Sequence, residues 1–403
     1  MKTIIILADG AADEPIAELG GTPPLQAAKK PYIDMLAAKG KSGELDTIPA
    51  GFKPGSEIAN LSVLGYDVPK VFEGRGSLEA ASMGVDILPG EMAMRCNLIC
   101  IEDGKIKNHS AGHISSEEAK ELILFLDKEL NDGKVSFYPG VSYRHLLKLK
   151  GGNKNLDCTA PHDVTGTPYK EVLIQAETAE AQETTDYLNQ LIIKSQELLK
   201  EHPVNKKRIA EGKDPANSIW PWSPGYHPQM QTLQELFGIK SGSVISAVDL
   251  IMGIGVYAGL KLIHVEGATG LYDTNYEGKA EAAIEALKKD DFVYLHIEAS
   301  DEAGHEGDYE LKTKTIEYLD NRVVKTIYEA TKDWDEPVTI AILPDHPTPC
   351  AIKTHTNKPI PFVIYRSNGE ADSVQVYDEF ESPKGAYGLI RGKEFMETLF
   401  SDK

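Results

Sequence analysis

Short apolar runs rich in β-branched residues recur along the chain at Thr3–Ala8, Val244–Val248, Leu262–Val265, Phe292–Ile297, Val338–Leu343 and Phe362–Tyr365. Runs of this kind, without polar alternation, are the pattern of strands buried on both faces. Around them the apolar positions fall into a helical period, at Tyr32–Lys39, Lys279–Lys288, Tyr309–Thr331 and Lys393–Leu399. Pro31 suits the opening turn of the first helix, where a missing N–H costs nothing. Strand alternating with helix predicts an α/β fold with a mostly parallel sheet sandwiched by helices.

A long interval separates the first strand from the rest, and it carries a pattern of its own. Met94–Ile101 runs into Glu102-Asp103-Gly104-Lys105, and Asp-Gly between apolar runs signals a hairpin. Ser115-Ser116-Glu117-Glu118 opens a helical stretch to Leu130, with a capping serine and acids at the positive end of the helix dipole. Tyr143–Leu149 reads as a strand and Thr178–Leu199 as a long helix. The expectation is an inserted, smaller α+β domain over residues 88–212, with residues 1–87 and 213–403 forming the core.

Composition narrows the function classes. A chain of 403 residues with a formal charge of -20 lacks the basic excess of a nucleic-acid or anionic-membrane surface. A small phosphorylated substrate stays open, because a few arginines and bound cations make a local positive site inside an acidic protein. The apolar start, Ile4-Ile5-Ile6-Leu7-Ala8, runs directly into Asp9-Gly10 and is too short for a signal peptide, so a buried first strand is expected. Cys96, Cys100, Cys158 and Cys350 have no metal-ribbon or CxxC spacing. Reduced thiols and a cytoplasmic location are the expectation.

The candidate chemistry lies at strand ends. In an open α/β sheet, ligands bind beyond the carboxyl ends of the strands. Asp9 follows the first run directly, Asp345-His346 follows Val338–Leu343 after one proline, and Asp301 lies a few residues past Phe292–Ile297. Asp301 and His305 have the i, i+4 spacing that puts two side chains on one helix face. Singly, each has a bland reading: a solvated helix pair, a turn aspartate, or, for His355, a loop histidine. Ser56, after Pro54-Gly55 and before an apolar periodic stretch, sits at a helix N-terminus. It is either an N-cap or a nucleophile. Mixed carboxylate and imidazole donors suit Mn²⁺ or Zn²⁺ better than Mg²⁺.

Taken in order, these segments resemble the alkaline-phosphatase superfamily and, within it, archaeal-type cofactor-independent phosphoglycerate mutases. Ala8-Asp9-Gly10, Gly55-Ser56-Glu57-Ile58-Ala59-Asn60-Leu61, Gly74-Arg75-Gly76 and Met94-Arg95-Cys96-Asn97 carry the resemblance early in the chain. Gly267-Ala268-Thr269-Gly270, Asp273-Thr274-Asn275, His296 to His305 and Asp345-His346 carry it later, so it spans nearly the whole sequence. The resemblance implies an alkaline-phosphatase-like core with an inserted substrate-orienting domain. It also implies two divalent metal ions, Mn²⁺ or Zn²⁺ with Mg²⁺ as an alternative. One would be held by Asp9, Ser56, Asp345 and His346, the other by Asp301, His305 and His355. Ser56 would carry the phosphoryl group as 3-phosphoglycerate and 2-phosphoglycerate interconvert. Arg75, Arg95 and Arg144 are candidates to grip the substrate's phosphate and carboxylate, with a surface salt bridge as the alternative, and His162 is a further candidate that could equally be a turn residue.

Two rivals share the scaffold: a homoserine kinase-like phosphotransferase and a plain phosphatase. Ser218-Ile219-Trp220-Pro221-Trp222 and Asn108-His109-Ser110-Ala111-Gly112-His113 depart from the archaeal enzymes' pattern and keep the first open. No Walker A or kinase glycine-rich loop accompanies it. A catalytically dead metal-binding scaffold is a third alternative, disfavoured by the intact ligand set.

Overall fold

The computed structural model describes residues 1–401, and its chain divides into two compact units, 1–72 with 229–401 and 73–228. The inner unit is therefore wider than the 88–212 expected from sequence. Two elements account for the difference. The Arg75–Ser82 helix packs on the Glu91–Glu102 strand, and the tryptophan-bearing Ser218–Gly225 segment is itself a strand paired with Glu91–Glu102. Both belong to the inner unit's sheet, and neither shows a clear period in sequence.

The outer unit is built on an eight-stranded sheet. Its order is Lys261–Ile263, Gly242–Ile245, Phe292–Ile297, Lys2–Ala8, Val338–Leu343, Ile360–Arg366, Lys41–Asp46 and Gly388–Arg391. Among the described residues only Ile360–Arg366 runs against its neighbours, so one of the runs read as part of the parallel set is reversed. The central strands, Phe292–Ile297 and Val338–Leu343, are buried along their whole length and Lys2–Ala8 at all but its first residue. That explains why they read as continuous apolar runs. Their registers put Ala8 beside Ile297 and Leu7 beside Leu343, so the three strands end almost level.

The long period at Tyr309–Thr331 proves to be α-helix over Tyr309–Tyr318 and Lys325–Thr331 with a π turn, Leu319–Val324, between them. The wide turn carries Asp320, whose carboxylate accepts the Ile33 N–H at 2.7 Å. This satisfies an orphan donor near the start of the Pro31–Ala38 helix.

In the inner unit the antiparallel sheet runs Lys105–Asn108, Glu91–Glu102, Arg144–Lys150, Val135–Tyr138, with Ser218–Gly225 also pairing Glu91–Glu102. Asp103 and Gly104 both have positive φ, 51° and 74°, at the hairpin tip, as an Asp-Gly turn requires. Side-chain parity then divides the sheet's two faces. Met92, Met94, Cys96 and Leu98 join Leu147, Leu149 and Ile219 in a core with the Ser116–Leu130 and Gln182–Lys200 helices. Arg95, Asn97 and Ile99 point to the other face. There Trp220 and Trp222 pack with Ile99, and Arg144 stands opposite Asn97 in register.

One buried charge ties two loops of the outer unit to its helical layer. Lys312 is fully buried, and its ammonium donates to Asp13 Oδ2 at 2.8 Å, Ala12 O at 3.1 Å and Thr348 O at 2.8 Å. Lys312→Met would leave the Asp13 carboxylate buried without its cation. Urea unfolding of that variant should show a stability loss of about 3–5 kcal/mol.

Candidate functional site

The level strand ends of the outer unit deliver the acids. Asp9 follows Lys2–Ala8, Asp345 follows Val338–Leu343, and Asp301 lies in the Ala299–Glu306 helix that starts just beyond Phe292–Ile297. All three are essentially removed from solvent. Ser56 is the first residue of the Ser56–Val63 helix; Gly55 is the N-cap and makes no side-chain capping bond. The hydroxyl is thus free of the capping role and lies 3.2 Å from His346 Nε2.

The structure brings Asp9, Ser56, Asp301, His305, Asp345, His346 and His355 into one cluster. His346 Nε2 is 3.4 Å from Asp345 Oδ2 and 3.8 Å from Asp9 Oδ1. His305 Nε2 and His355 Nε2 are 2.9 Å apart, at 3.3 and 3.4 Å from the two Asp301 oxygens. Asp9, Asp345 and His346 form one group of donors close enough to share an ion, and Asp301, His346 and His355 form another. His346 belongs to both, where the sequence reading gave it to one.

The electrostatics show what the cluster lacks. Burial and the facing carboxylates of Asp345, Asp301 and Glu298 push the Asp9 carboxyl well above its ordinary range. Its Oδ1 is buried with no hydrogen-bond partner. Burial opposes ionisation of Asp301 too, yet His305, His355 and His346 hold it well below the usual carboxylate range. The hydrogen bond to Asp301 lifts His305 to about 9. An orphaned oxygen, converging acids and imidazoles at 3–4 Å fit divalent cations, which would satisfy all of them at once.

Several supporting residues escaped the sequence reading. His296 Nε2 lies 2.8 Å from Asp9 Oδ2, and its Nδ1 faces Ser246 Oγ at 3.1 Å, which fixes the ring. Asn60 donates its amide to Asp345 Oδ2 at 2.9 Å and to Ser56 O at 2.8 Å, while the Tyr294 hydroxyl donates to Asn60 Oδ1. Thr348 donates to Asp301 Oδ1. Partners of this kind orient ligands and set their basicity. A histidine and a tyrosine inside the fully buried Phe292–Ile297 strand were the available signal, since buried polar groups must find partners.

Arg75, Arg95, Arg144 and His162 all lie in the inner unit, including Arg75, which the sequence boundaries had put in the core. Gly74 has φ +132°, and a Cβ there would stand 2.2 Å from Pro224 O; one on Gly76 would stand 2.5 Å from Ala93 O. The Gly-Arg-Gly motif therefore presses the start of the Arg75–Ser82 helix onto two strands. Arg75 and Arg95 both lie over the Trp222 ring, at 5.7 and 5.3 Å, and His162 meets its edge at 5.7 Å. Arg144 is solvent-exposed on the face shared by Asn97 and Arg95.

A mostly parallel α/β core with a carboxylate–imidazole cluster at its strand ends defines the class. Residues 37–205 match the family model of 2,3-bisphosphoglycerate-independent phosphoglycerate mutase. The chain is 52% identical over 403 residues to the Methanosarcina acetivorans protein of that name, covering 99% of each chain. A solved Pyrococcus horikoshii protein aligns at 31% identity with TM-score 0.84, over 99% of this chain and 96% of that one. Thermoplasma acidophilum cofactor-independent phosphoglycerate mutase aligns at 27% identity with TM-score 0.68, over 100% and 99%. The chain belongs to the 2,3-bisphosphoglycerate-independent phosphoglycerate mutase family. The homoserine kinase alternative finds no support in these relatives.

Two outcomes follow from the geometry. Gly10 has φ +60°, and a Cβ would stand 2.5 Å from Asp301 Oδ1. Gly10→Ala should weaken divalent-cation binding, measured by calorimetry with Mn²⁺ as the probe, by at least about tenfold. A metal needs neutral imidazole, whereas His305 in the metal-free protein holds its proton up to about pH 9. Mn²⁺ addition at neutral pH should therefore release protons, and affinity should rise with pH by up to about tenfold per unit for each proton displaced.

Proposed function

We propose that this protein interconverts 3-phosphoglycerate and 2-phosphoglycerate by metal-dependent phosphoryl transfer, with Ser56 as the group that carries the phosphoryl between the two positions. The observation that carries this reading is the place of Ser56: an uncapping hydroxyl at a helix N-terminus, 3.2 Å from His346 Nε2, within the acid–imidazole cluster. The sequence relatives support the substrate pair.

Asp9, Asp345 and His346 would hold one divalent ion beside Ser56, and Asp301, His305 and His355 a second. Bound there, Mn²⁺ or Zn²⁺, or Mg²⁺ as the alternative, would lower the serine hydroxyl's pKa and neutralise charge on the transferring oxygens. Ser56 Oγ forms a bond to phosphorus as the bond from phosphorus to the substrate's 3-oxygen breaks, and the proton that the serine loses ends on that departing oxygen. Glycerate then turns, and its 2-hydroxyl takes the phosphoryl from Ser56. Backbone N–H groups at the start of the Ser56–Val63 helix favour the phosphate at this position. His296, Asn60 and Thr348 keep Asp9, Asp345 and Asp301 aimed while this happens.

Arg75, Arg95 and Arg144 would hold the anionic substrate, with His162 beside them. Burial, with His162, His113 and Arg95 nearby, lowers the His109 pKa, and burial with Arg75 and Arg95 lowers that of His162 against the pull of Asp163, so the arginines are the main source of positive charge. The inner unit, 73–228, then serves to orient the substrate. A protein without membrane-length helices among its described residues and with a small soluble substrate fits a cytoplasmic enzyme.

In an enolase-coupled assay with Mn²⁺, Ser56→Ala should lose turnover of 3-phosphoglycerate by roughly three orders of magnitude or more while its circular dichroism stays unchanged. Retained turnover would remove Ser56 from the mechanism. Turnover of a generic phosphate ester in place of 3-phosphoglycerate would reassign the protein as a phosphatase.

A further inference from the structure

On the face of the inner unit that carries Arg95 and Asn97, a buried carboxylate stands among the arginines. Glu79, on the Arg75–Ser82 helix, is 7% exposed. It accepts from Arg95 Nη1 at 2.6 Å and lies 3.6 Å from Arg75 Nη2. The two guanidinium groups are four positions and one strand apart from it in origin, yet a single carboxylate serves both. Asn97 adds a second tie. Its Oδ1 accepts from Arg95 Nε at 3.3 Å and from Trp222 Nε1 at 3.1 Å, and its amide donates to His109 O at 3.2 Å. Both guanidinium carbons lie over the indole so fixed, 5.7 and 5.3 Å from its centroid.

Charge and valence leave this assembly incomplete. Arg75 and Arg95 bring two positive charges and Glu79 one negative, with Arg144 adding a further positive charge nearby. Burial lowers the pKa of His109 and His162, which face Tyr143 and Trp222, while Asp163, 3.5 Å from His162 Nε2, pulls that histidine's pKa back up. Arg75 Nε is buried without a partner. A surface ion pair would need neither an indole platform nor an amide brace, and would gain little from them. Two guanidinium groups held side by side with unused donors are suited to a planar carboxylate, which they can grip bidentately.

We propose that Glu79, Asn97 and Trp222 are positioning residues that hold Arg75 and Arg95 as a fixed pair for the substrate's carboxylate, so that the inner unit binds glycerate itself, with neither phosphoryl group nor metal. This rests on the mutase reading for the choice of glycerate. The carboxylate is the one anionic group common to 3-phosphoglycerate, 2-phosphoglycerate and the glycerate between them. A site that grips it keeps hold of the molecule while the hydroxyls exchange places. Glu79 contributes geometry: it fixes the Arg95 fork and draws Arg75 toward it, and a freely rotating pair would lose orientation of the ligand.

The test is calorimetric titration of D-glycerate into the full-length protein after chelation of metal, with glycerol and inorganic phosphate as comparison probes. D-Glycerate should bind and glycerol, which lacks the carboxylate, should not. Glu79→Ala should weaken glycerate binding by at least about tenfold, whereas Glu79→Gln, which keeps an oxygen to accept from Arg95, should stay within about threefold. Trp222→Leu should weaken it as well. Because Glu79→Ala also strips a buried arginine of its partner, folding is checked by circular dichroism, and the Gln and Leu variants decide if it unfolds.

Glycerate binding indifferent to Glu79→Ala and Trp222→Leu in folded protein would overturn the proposal. So would Glu79-dependent binding of inorganic phosphate with none of glycerate, which would make the pair a phosphoryl site. Absence of mutase turnover with glycerate binding intact would instead remove the proposed function and leave this inference standing.

Discussion

Three carboxylates of the outer unit, Asp9, Asp301 and Asp345, are buried within a few ångströms of the same histidines, and much of the surrounding structure answers that repulsion. Like charges out of water raise one another's proton affinity, and Asp9 shows the result most plainly. The histidines relieve Asp301, and His346 stands close enough to Asp9 and Asp345 to touch both. Asn60, Thr348, His296 and two backbone N–H groups, of Gly10 and His346, take up the remaining oxygens. Only Asp9 Oδ1 goes without. A site with this much unrelieved negative charge is built for cations.

The parallel sheet is what makes such crowding affordable. Three adjacent strands, each buried and each ending level with the next, aim their following residues at one place without bending the chain. The hydrophobic burial of those strands is independent of the acids, so the core supplies the stability and the strand ends carry the strain. Lys312 reinforces the arrangement from the other side, since its three bonds pin the loops after Ala8 and His346 to the helical layer. Positioning is thus distributed over elements far apart in sequence.

The inner unit solves a related problem with the opposite sign. Parity along Glu91–Glu102 sends Met92, Met94, Cys96 and Leu98 to the helices and Arg95, Asn97 and Ile99 to the far face, where Trp222 lies against them. The two glycines around Arg75 let a helix start close enough for Glu79 to reach Arg95. Positive groups are collected here as acids are collected in the outer unit.

Local pattern was enough for much of this protein. Continuous apolar runs announced the central strands because they are buried on both faces, and the Asp-Gly turn and the serine cap announced the hairpin and the helix after it. The acids and Ser56 could be picked out because they stand next to strand or helix ends. Their bland readings were overcome by order along the chain, which matched a known family. Pairing between distant segments was beyond reach. Residues 218–225 contain two prolines and no alternation, so only their partner strand makes them a strand and moves the unit boundary to 228. His296 and Asn60 lie in segments that carry the family resemblance and Glu79 in an ordinary-looking helix, yet their roles arise from neighbours up to 287 residues away. Hydrogen bonds and ion pairs made across the fold depend on distance in space, and sequence spacing reports that distance only within one helix or one turn.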